Sequence, residues 1–131
     1  MCIRDSSETL SGTRKSVEHA YQAAKTLDPG EREAIRRAPT AFRARRLGRQ
    51  VALRPDWEHI KRSVMFLLVL HKFRDPELGV SLLTTDDQVL VYGNDRGDTY
   101  WGQCPLGVGH NHLGHIIMTV RLLLRNRVPD P

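Results

Sequence analysis

Apolar residues recur at helical spacing through most of the chain from Ser16 to Arg127, and this pattern predicts a succession of helices. Ser16 and Thr40 stand where helix N-caps are favoured, and Pro29 stands near the start of another helix, where proline is well tolerated. The predicted helical segments are SVEHAYQAAKTL, PGEREAIRRA, TAFRARRLG, DWEHIKRSVMFLLVLHKF, PELGVSLLTT and NHLGHIIMTVRLLLRNR.

A different pattern occurs in QVLVYGN, where the run from Val89 to Tyr92 predicts one short strand that ends at Gly93-Asn94. The chain has no internal repeat and no linker long enough to separate two domains. We therefore expect a mainly α fold, a single multihelical domain over residues 16–128 with a small β element.

Residues 1–15 are polar and aperiodic, which predicts a disordered leader. Their first six letters, MCIRDS, resemble a translated sequencing-adapter scar, so an artefactual leader is the alternative. On either interpretation we leave residues 1–15 out of the predicted domain, and a missing true N-terminus is part of this expectation.

Length and composition exclude several classes of protein. The 131 residues fit one domain, and the longest uninterrupted apolar run, VMFLLVL, is far too short to span a bilayer. No apolar segment of a signal peptide follows the early charges, and the two cysteines, Cys2 and Cys104, do not provide a disulfide framework. We expect a cytoplasmic protein that binds no membrane, and the oligomeric state stays open.

Positive charge is concentrated in one part of the chain. Lys and Arg number 20 against 15 Asp and Glu, and arginines crowd the segment from Arg36 to Arg54. This balance suits a polyanionic partner such as a nucleic acid, a nucleotide or a phosphorylated metabolite. A solvated basic face is the alternative.

The first predicted helix carries three polar residues on one face. Glu18, Gln22 and Lys25 are spaced i, i+4 and i+7 and therefore point the same way. The face is a candidate for chemistry, and a solvated charged stripe is the alternative.

The loop GDTYWG combines an acid with an indole, since Asp98 stands three residues before Trp101. An indole among glycines can stack on a base or a sugar face, whereas anchoring the core is the alternative for Trp101 and for Trp57. Cleavage of a glycosidic bond needs at least two catalytic carboxyl groups. Glu18 and Asp98 are therefore candidates for proton transfer and for stabilising positive charge at the sugar C1.

Histidines offer a rival interpretation, because GHNHLGH places His110, His112 and His115 close together, as metal sites often do. No cysteine pair, HExxH motif or adjacent carboxylate completes a set of ligands. We expect neither a metal nor a cofactor.

Six blocks, in this order and spacing, resemble the NADAR (YbiA-like) family from about Ser16 to Leu124. The blocks are SVEHAYQAAK, RLGR, RPDWEHIKRSVM, KFRDPELGVSLLTT, GDTYWG and NHLG...MTVR. The resemblance implies a mainly helical fold and cleavage of N-glycosidic bonds. One branch of that family removes ADP-ribose from modified guanine bases in nucleic acid, and another hydrolyses early intermediates of riboflavin biosynthesis.

The resemblance implies an N-glycosidase that acts on an ADP-ribosylated guanine base in nucleic acid. The alternatives are an N-glycosidase of phosphorylated riboflavin-biosynthesis intermediates, a non-catalytic module that binds ADP-ribose or nucleic acid, and a decayed fragment that merely folds. The expected ligand in the first two cases is an ADP-ribosyl or ribosyl-phosphate substrate.

The resemblance also implies which residues form the site. Lys25 and Arg49 would bind phosphate or ribose, and attack of the Lys25 amine on an opened sugar as a Schiff base is the second choice. The expected catalytic residues are Glu18, Asp98 and Lys25, and the expected substrate-binding residues are Trp57, Trp101, Gln22, Arg49 and Asn111.

The chain departs from the family pattern at three places. An N-terminal family segment with a strand and an FxSNF-like stretch has no counterpart in residues 1–15. Tyr92 stands where an acid often precedes GN, and Arg96 stands where an aromatic residue is common. The last two differences bear on the choice of substrate.

Overall fold

The computed structural model describes residues 2–3 and 16–127, which are mainly helical. The predicted mainly α class with a small β element is confirmed, and apart from Cys2–Ile3 the predicted leader lies outside the described residues. In chain order the elements are β1 (Cys2–Ile3), α1 (Val17–Ala24), α2 (Pro29–Arg36), α3 (Ala41–Gly48), α4 (Trp57–Phe73), α5 (Pro76–Leu83), β2 (Val91–Tyr92) and α6 (His112–Arg125).

The chain forms two compact units, one with the described residues 16–68 and one with residues 2–3 and 69–127. In the first unit α1, α2 and α3 pack against one another. Ile35 and Ala44 are fully buried at the centre of this packing, with Ala23 and Ala38 beside them. The small side chains let the three short helices approach closely and position the polar face of α1 against α3.

Side chains cap the three helices of the first unit. Ser16, Asp28 and Thr40 each accept a hydrogen bond from the backbone N–H three residues further on, which satisfies one free donor of the first turn. The predicted caps at Ser16 and Thr40 are confirmed. These caps fix where each helix begins and therefore which of its residues face the neighbouring helix.

In the second unit α6 packs against α5 and β2, and Leu82, Leu90, Ile117 and Val120 are buried. β1 runs parallel to β2, with Cys2 opposite Val91 and Ile3 opposite Tyr92. Within the part of the chain that the structure describes, no helix has the length and the apolar content that a membrane crossing needs.

The observed strand is shorter than the predicted run from Val89 to Tyr92. Val89 is 64% exposed and lies outside β2. Leu90 N–H donates to Met118 Sδ and Leu90 O accepts a bond from Asn111 Nδ2, so side chains of α6 and its cap occupy the backbone groups that a longer strand would use.

Candidate active site

Glu18 is held by a hydrogen-bond donor of its own helix and by a cation of α3. Gln22 Nε2 donates a 2.9 Å hydrogen bond to Glu18 Oε1, and Arg45 Nη1 of α3 lies 3.6 Å from the same oxygen. Only 15% of the Glu18 side chain and 23% of the Arg45 side chain are exposed. A neutral donor and a cation thus orient one carboxylate.

Gly48 lets α3 approach α1 at Gln22. A Cβ added to Gly48 would lie 2.0 Å from Gln22 Oε1 and 3.1 Å from Gln22 Cβ, so only glycine fits there without displacing the amide. Gln22 is 5% exposed, and its Oε1 has no hydrogen-bond partner among the described residues. A solvated stripe, the alternative interpretation of this face, is therefore wrong for Gln22.

Lys25 lies at the C-cap of α1, with its Nζ 5.7 Å from the centroid of the Tyr21 ring. Burial lowers the pKa of Lys25 below its ordinary value, the charge of Glu18 raises this pKa, and the charges of Arg49 and Lys61 lower it. Lys25 is thus within electrostatic reach of Glu18 and of two further cations. We call Glu18, Gln22, Lys25 and Arg45 the Glu18 cluster.

An aromatic pair supports this cluster. Trp57, the first residue of α4, is 4% exposed, and its ring centroid lies 5.1 Å from that of Tyr21 at an interplanar angle of 59°. Arg54 N–H donates a 2.7 Å bond to Lys25 O, which ties the segment before α4 to the end of α1. In this arrangement Trp57 braces Tyr21, and Tyr21 faces Lys25.

Asp98 and Trp101 belong to the second compact unit, where they shape the GDTYWG loop. Asp98 Oδ1 accepts a 2.8 Å bond from Trp101 N–H, and Asn94 bonds to both the N–H and the O of Asp98. The half-buried Trp101 ring meets Tyr100 edge-on at 4.8 Å. The Asp98 carboxylate therefore has a role in the loop itself, whatever further role it has.

Asn111 joins the start of α6 to β2. Its side chain is buried, its Oδ1 accepts from Tyr92 N–H at 2.9 Å, and its Nδ2 donates to Leu90 O at 2.9 Å. Its backbone has a φ of 56°, a left-handed conformation that asparagine tolerates better than most residues. Both ends of the amide thus bind backbone, and the expected substrate contact of Asn111 stays a prediction.

The histidines of GHNHLGH do not assemble into a ligand set. The rings of His110 and His112 are stacked, with centroids 5.2 Å apart and planes at 3°. Over residues 2–3 and 16–127, no group of three His, Cys, Asp or Glu residues is placed to hold a metal ion.

Five of the eight site residues expected from the sequence lie in the first unit and three in the second. Arg45 and Tyr21 were not expected from the sequence, because only the packing of α3 on α1 and of α4 on Tyr21 reveals what they touch. The first-unit residues are Glu18, Gln22, Lys25, Arg49 and Trp57, and the second-unit residues are Asp98, Trp101 and Asn111.

Comparison with known proteins matches the sequence model of the NADAR domain to residues 4–125, which include parts of both compact units. N-glycosidase YbiA of Escherichia coli is 40% identical over 112 residues, 83% of this chain and 69% of that protein. A riboflavin biosynthesis protein of Vibrio vulnificus is 39% identical over 125 residues, 92% of this chain and 34% of that protein. The NMR structure of the E. coli protein YbiA matches with a TM-score of 0.76 and 39% identity, covering 84% of this chain and 67% of that chain.

Proposed function

This chain belongs to the NADAR domain family, and we propose that it hydrolyses the N-glycosidic bond of an ADP-ribosylated guanine base in nucleic acid. As in its N-glycosidase relatives, the activity is that of a hydrolase acting on N-glycosyl bonds. The guanine-linked ADP-ribosyl group is our choice of substrate.

The observation that carries the proposal is the oriented carboxylate of Glu18, held by Gln22 and Arg45. In the reaction the bond from sugar C1 to the base nitrogen breaks, the hydroxyl of a water adds to C1, and a proton goes to the base. A fixed carboxylate stabilises the positive charge that grows at C1 and accepts the proton of the attacking water. Arg45 and Gln22 position this carboxylate, and contact of Gln22 with the substrate stays a prediction.

The cations around the cluster favour a phosphorylated sugar. Lys25 and Arg49 would bind the diphosphate of ADP-ribose, for which the planar guanidinium of arginine is well suited. Because burial and neighbouring cations lower the pKa of Lys25, its amine loses a proton more readily than an exposed lysine does. That property also supports the second choice for Lys25, attack on an opened sugar as a Schiff-base amine.

The remaining assignments rest on the family resemblance. We propose that Asp98 transfers a proton to the leaving base and that Trp101 stacks on the base or ribose. Trp57 is proposed to act through Tyr21, since its own ring is almost fully buried.

A phosphorylated riboflavin-biosynthesis intermediate is the second candidate substrate. The observation that favours it is the 39% identity to the Vibrio vulnificus riboflavin biosynthesis protein over 92% of this chain. Such an intermediate would also present a phosphorylated ribose on an amine-bearing heterocycle to Lys25 and Arg49.

A competition experiment between the two candidate substrates tests which of them the protein hydrolyses. We expect kcat/KM for an oligonucleotide with ADP-ribosylated guanine to exceed that for the riboflavin intermediate by about a hundredfold, which corresponds to about 2.7 kcal/mol in transition-state binding. The opposite preference would transfer the assignment to the second candidate. Binding of either substrate without turnover would indicate the non-catalytic module.

A further inference from the structure

Arginine is unusually dense on and around α3. Residues 36–54 contain seven arginines and no aspartate or glutamate. Four of them, Arg43, Arg45, Arg46 and Arg49, lie on α3 or at its C-cap. The face of α3 that holds Ala44 and Gly48 packs toward α1, so the arginines occupy the rest of the helix circumference.

Helix geometry orders these residues around the exposed side of α3. With about 3.6 residues per turn, successive residues are separated by about 100°. Moving around the helix from one edge of the buried face to the other, the positions are the half-buried Arg45 and then the exposed Arg49, Phe42, Arg46 and Arg43. We call this series the arginine arc.

One end of the arginine arc touches the Glu18 cluster. Arg45 lies 3.6 Å from Glu18 Oε1, and Arg49 is close enough to Lys25 to lower the pKa of that amine. A ligand bound along the arc would therefore lead directly to the proposed catalytic carboxylate.

The other end of the arc lines a groove of about 430 Å³. Ala38, Pro39 and Leu47 contribute apolar surface, and the guanidinium-bearing side chains of Arg43 and Arg46 line the same groove. Among the ion pairs of the described residues, Arg43 and Arg46 have no carboxylate partner. Two uncompensated guanidinium groups in a groove are suited to phosphate.

Phe42 lies between the two ends of the arc and is 65% exposed. It precedes Arg46 by four residues, so the ring and the guanidinium group are neighbours on the helix surface. An aromatic ring interleaved with arginines is typical of surfaces that stack a base and track a phosphate backbone.

We propose that the arginine arc is the docking track for a single strand of nucleic acid whose modified base is presented to Glu18. Phosphates bind Arg43 and Arg46, and an unmodified base stacks on Phe42. The identification of the strand as the substrate rests on the proposed function, whereas the docking of a strand on α3 does not.

Binding of an unmodified single-stranded oligonucleotide, followed by fluorescence anisotropy over a range of salt concentrations, tests the track without requiring turnover. The double variant R43Q/R46Q removes two phosphate contacts, so we expect the slope of log K against log salt to become shallower by about 1.4. Phe42→Ala should weaken binding about fivefold or more while leaving that slope unchanged.

The matched control is R74Q/R127Q, which removes two arginines that line a groove of the second unit and causes the same change in net charge. We expect this control to keep the wild-type slope. An equal decrease of the salt slope in both double variants would overturn the track in favour of general electrostatic attraction. An unchanged slope in R43Q/R46Q would also overturn the track. Circular dichroism verifies that each variant keeps its helices.

Turnover of a free nucleoside and of an oligonucleotide distinguishes a failure of the docking track from a failure of the proposed function. With a free ADP-ribosylated guanine nucleoside, R43Q/R46Q should equal wild type, whereas with the modified oligonucleotide its KM should rise about tenfold. Equal KM increases with both substrates would overturn the track. If neither substrate is hydrolysed by wild type, the proposed function fails, and the anisotropy result alone decides the track.

Discussion

Gln22 donates from Nε2 to Glu18 Oε1 at 2.9 Å, while its own Oε1 points toward Gly48. One buried amide therefore couples the orientation of the proposed catalytic carboxylate to the close approach of α1 and α3. A change in the contact between these helices should alter catalysis as well as stability.

Gly48→Ala tests this coupling. The new Cβ would lie 2.0 Å from Gln22 Oε1, and rotating the amide away would weaken its bond to Glu18. We expect a loss of about 1–3 kcal/mol in the free energy of unfolding, measured in urea, because the contact is overpacked. We also expect kcat to fall about tenfold under conditions where the variant is fully folded.

Gly30→Ala is the control for this change, since a Cβ there would meet only Asp28 Oδ2, at 3.2 Å. Its stability should differ from wild type by less than about 1 kcal/mol, because alanine is the better helix former. Wild-type kcat in Gly48→Ala would show that Gln22 does not position Glu18.

The lowered pKa of Lys25 predicts a pH dependence of stability. The folded protein releases this proton at a lower pH than the unfolded chain, so between the folded-state pKa and the ordinary value of 10.5 the unfolded state binds more protons and stability rises with pH. The destabilising contribution is complete below the folded-state pKa and absent above 10.5.

Lys25→Met removes that contribution. We expect this variant to be more stable than wild type at pH 7 and to lose the advantage as the pH approaches 10.5, measured by urea unfolding across the range. Lys72→Met, in the second unit, serves as the control. A Lys25→Met advantage that does not change with pH would contradict a lowered pKa.

Asp98→Asn separates the loop role of Asp98 from its proposed catalytic role. The amide oxygen can still accept the bond from Trp101 N–H, but the charge is lost. We expect stability to change by less than about 1 kcal/mol, because the acceptor is retained, and kcat to fall by about 10²–10⁴ because proton transfer is lost. Steady-state kinetics measures kcat, and unfolding followed by near-ultraviolet circular dichroism measures stability. A wild-type kcat would show that Asp98 only shapes the loop.

Asn111→Ala should act mainly on stability. It removes one hydrogen bond from Tyr92 N–H and one from Leu90 O, and it puts a less tolerant residue at a positive φ, so we expect a loss of about 2–4 kcal/mol. Asn111→Gly, which relieves only the backbone strain, should recover about 1 kcal/mol of this. A KM increase of about tenfold in the folded fraction of both variants would instead support the expected substrate contact.

The helices were predictable because their signals are local. Ser16 and Thr40 cap helices that begin at the next residue, and each cap bonds a backbone group only three residues away. The bounds of β2 were not predictable from local signals. The backbone of Leu90 is hydrogen-bonded by Asn111 and Met118, which lie 21 and 28 residues further along the chain.

The candidate site was predictable in part for the same reason. The shared face of Glu18, Gln22 and Lys25 follows from spacing within one helix. The burial of Gln22 and the approach of Arg45 to Glu18 depend on how closely α3 packs at Gly48, which spacing along the chain does not specify. Spacing along the chain therefore identified Glu18 and Gln22 as candidates but not Arg45.

The most direct test of the central claim is the release of free ADP-ribose from DNA carrying ADP-ribosylated guanine, followed by mass spectrometry with Glu18→Gln beside wild type. Glu77→Gln, which changes an exposed acid of α5, is the matched control. We predict release by wild type and by the control, and a rate lower by about 10²–10⁴ in Glu18→Gln, because the substitution preserves shape and removes the carboxylate. Release by Glu18→Gln at the wild-type rate would contradict the assignment of Glu18 as the catalytic carboxylate.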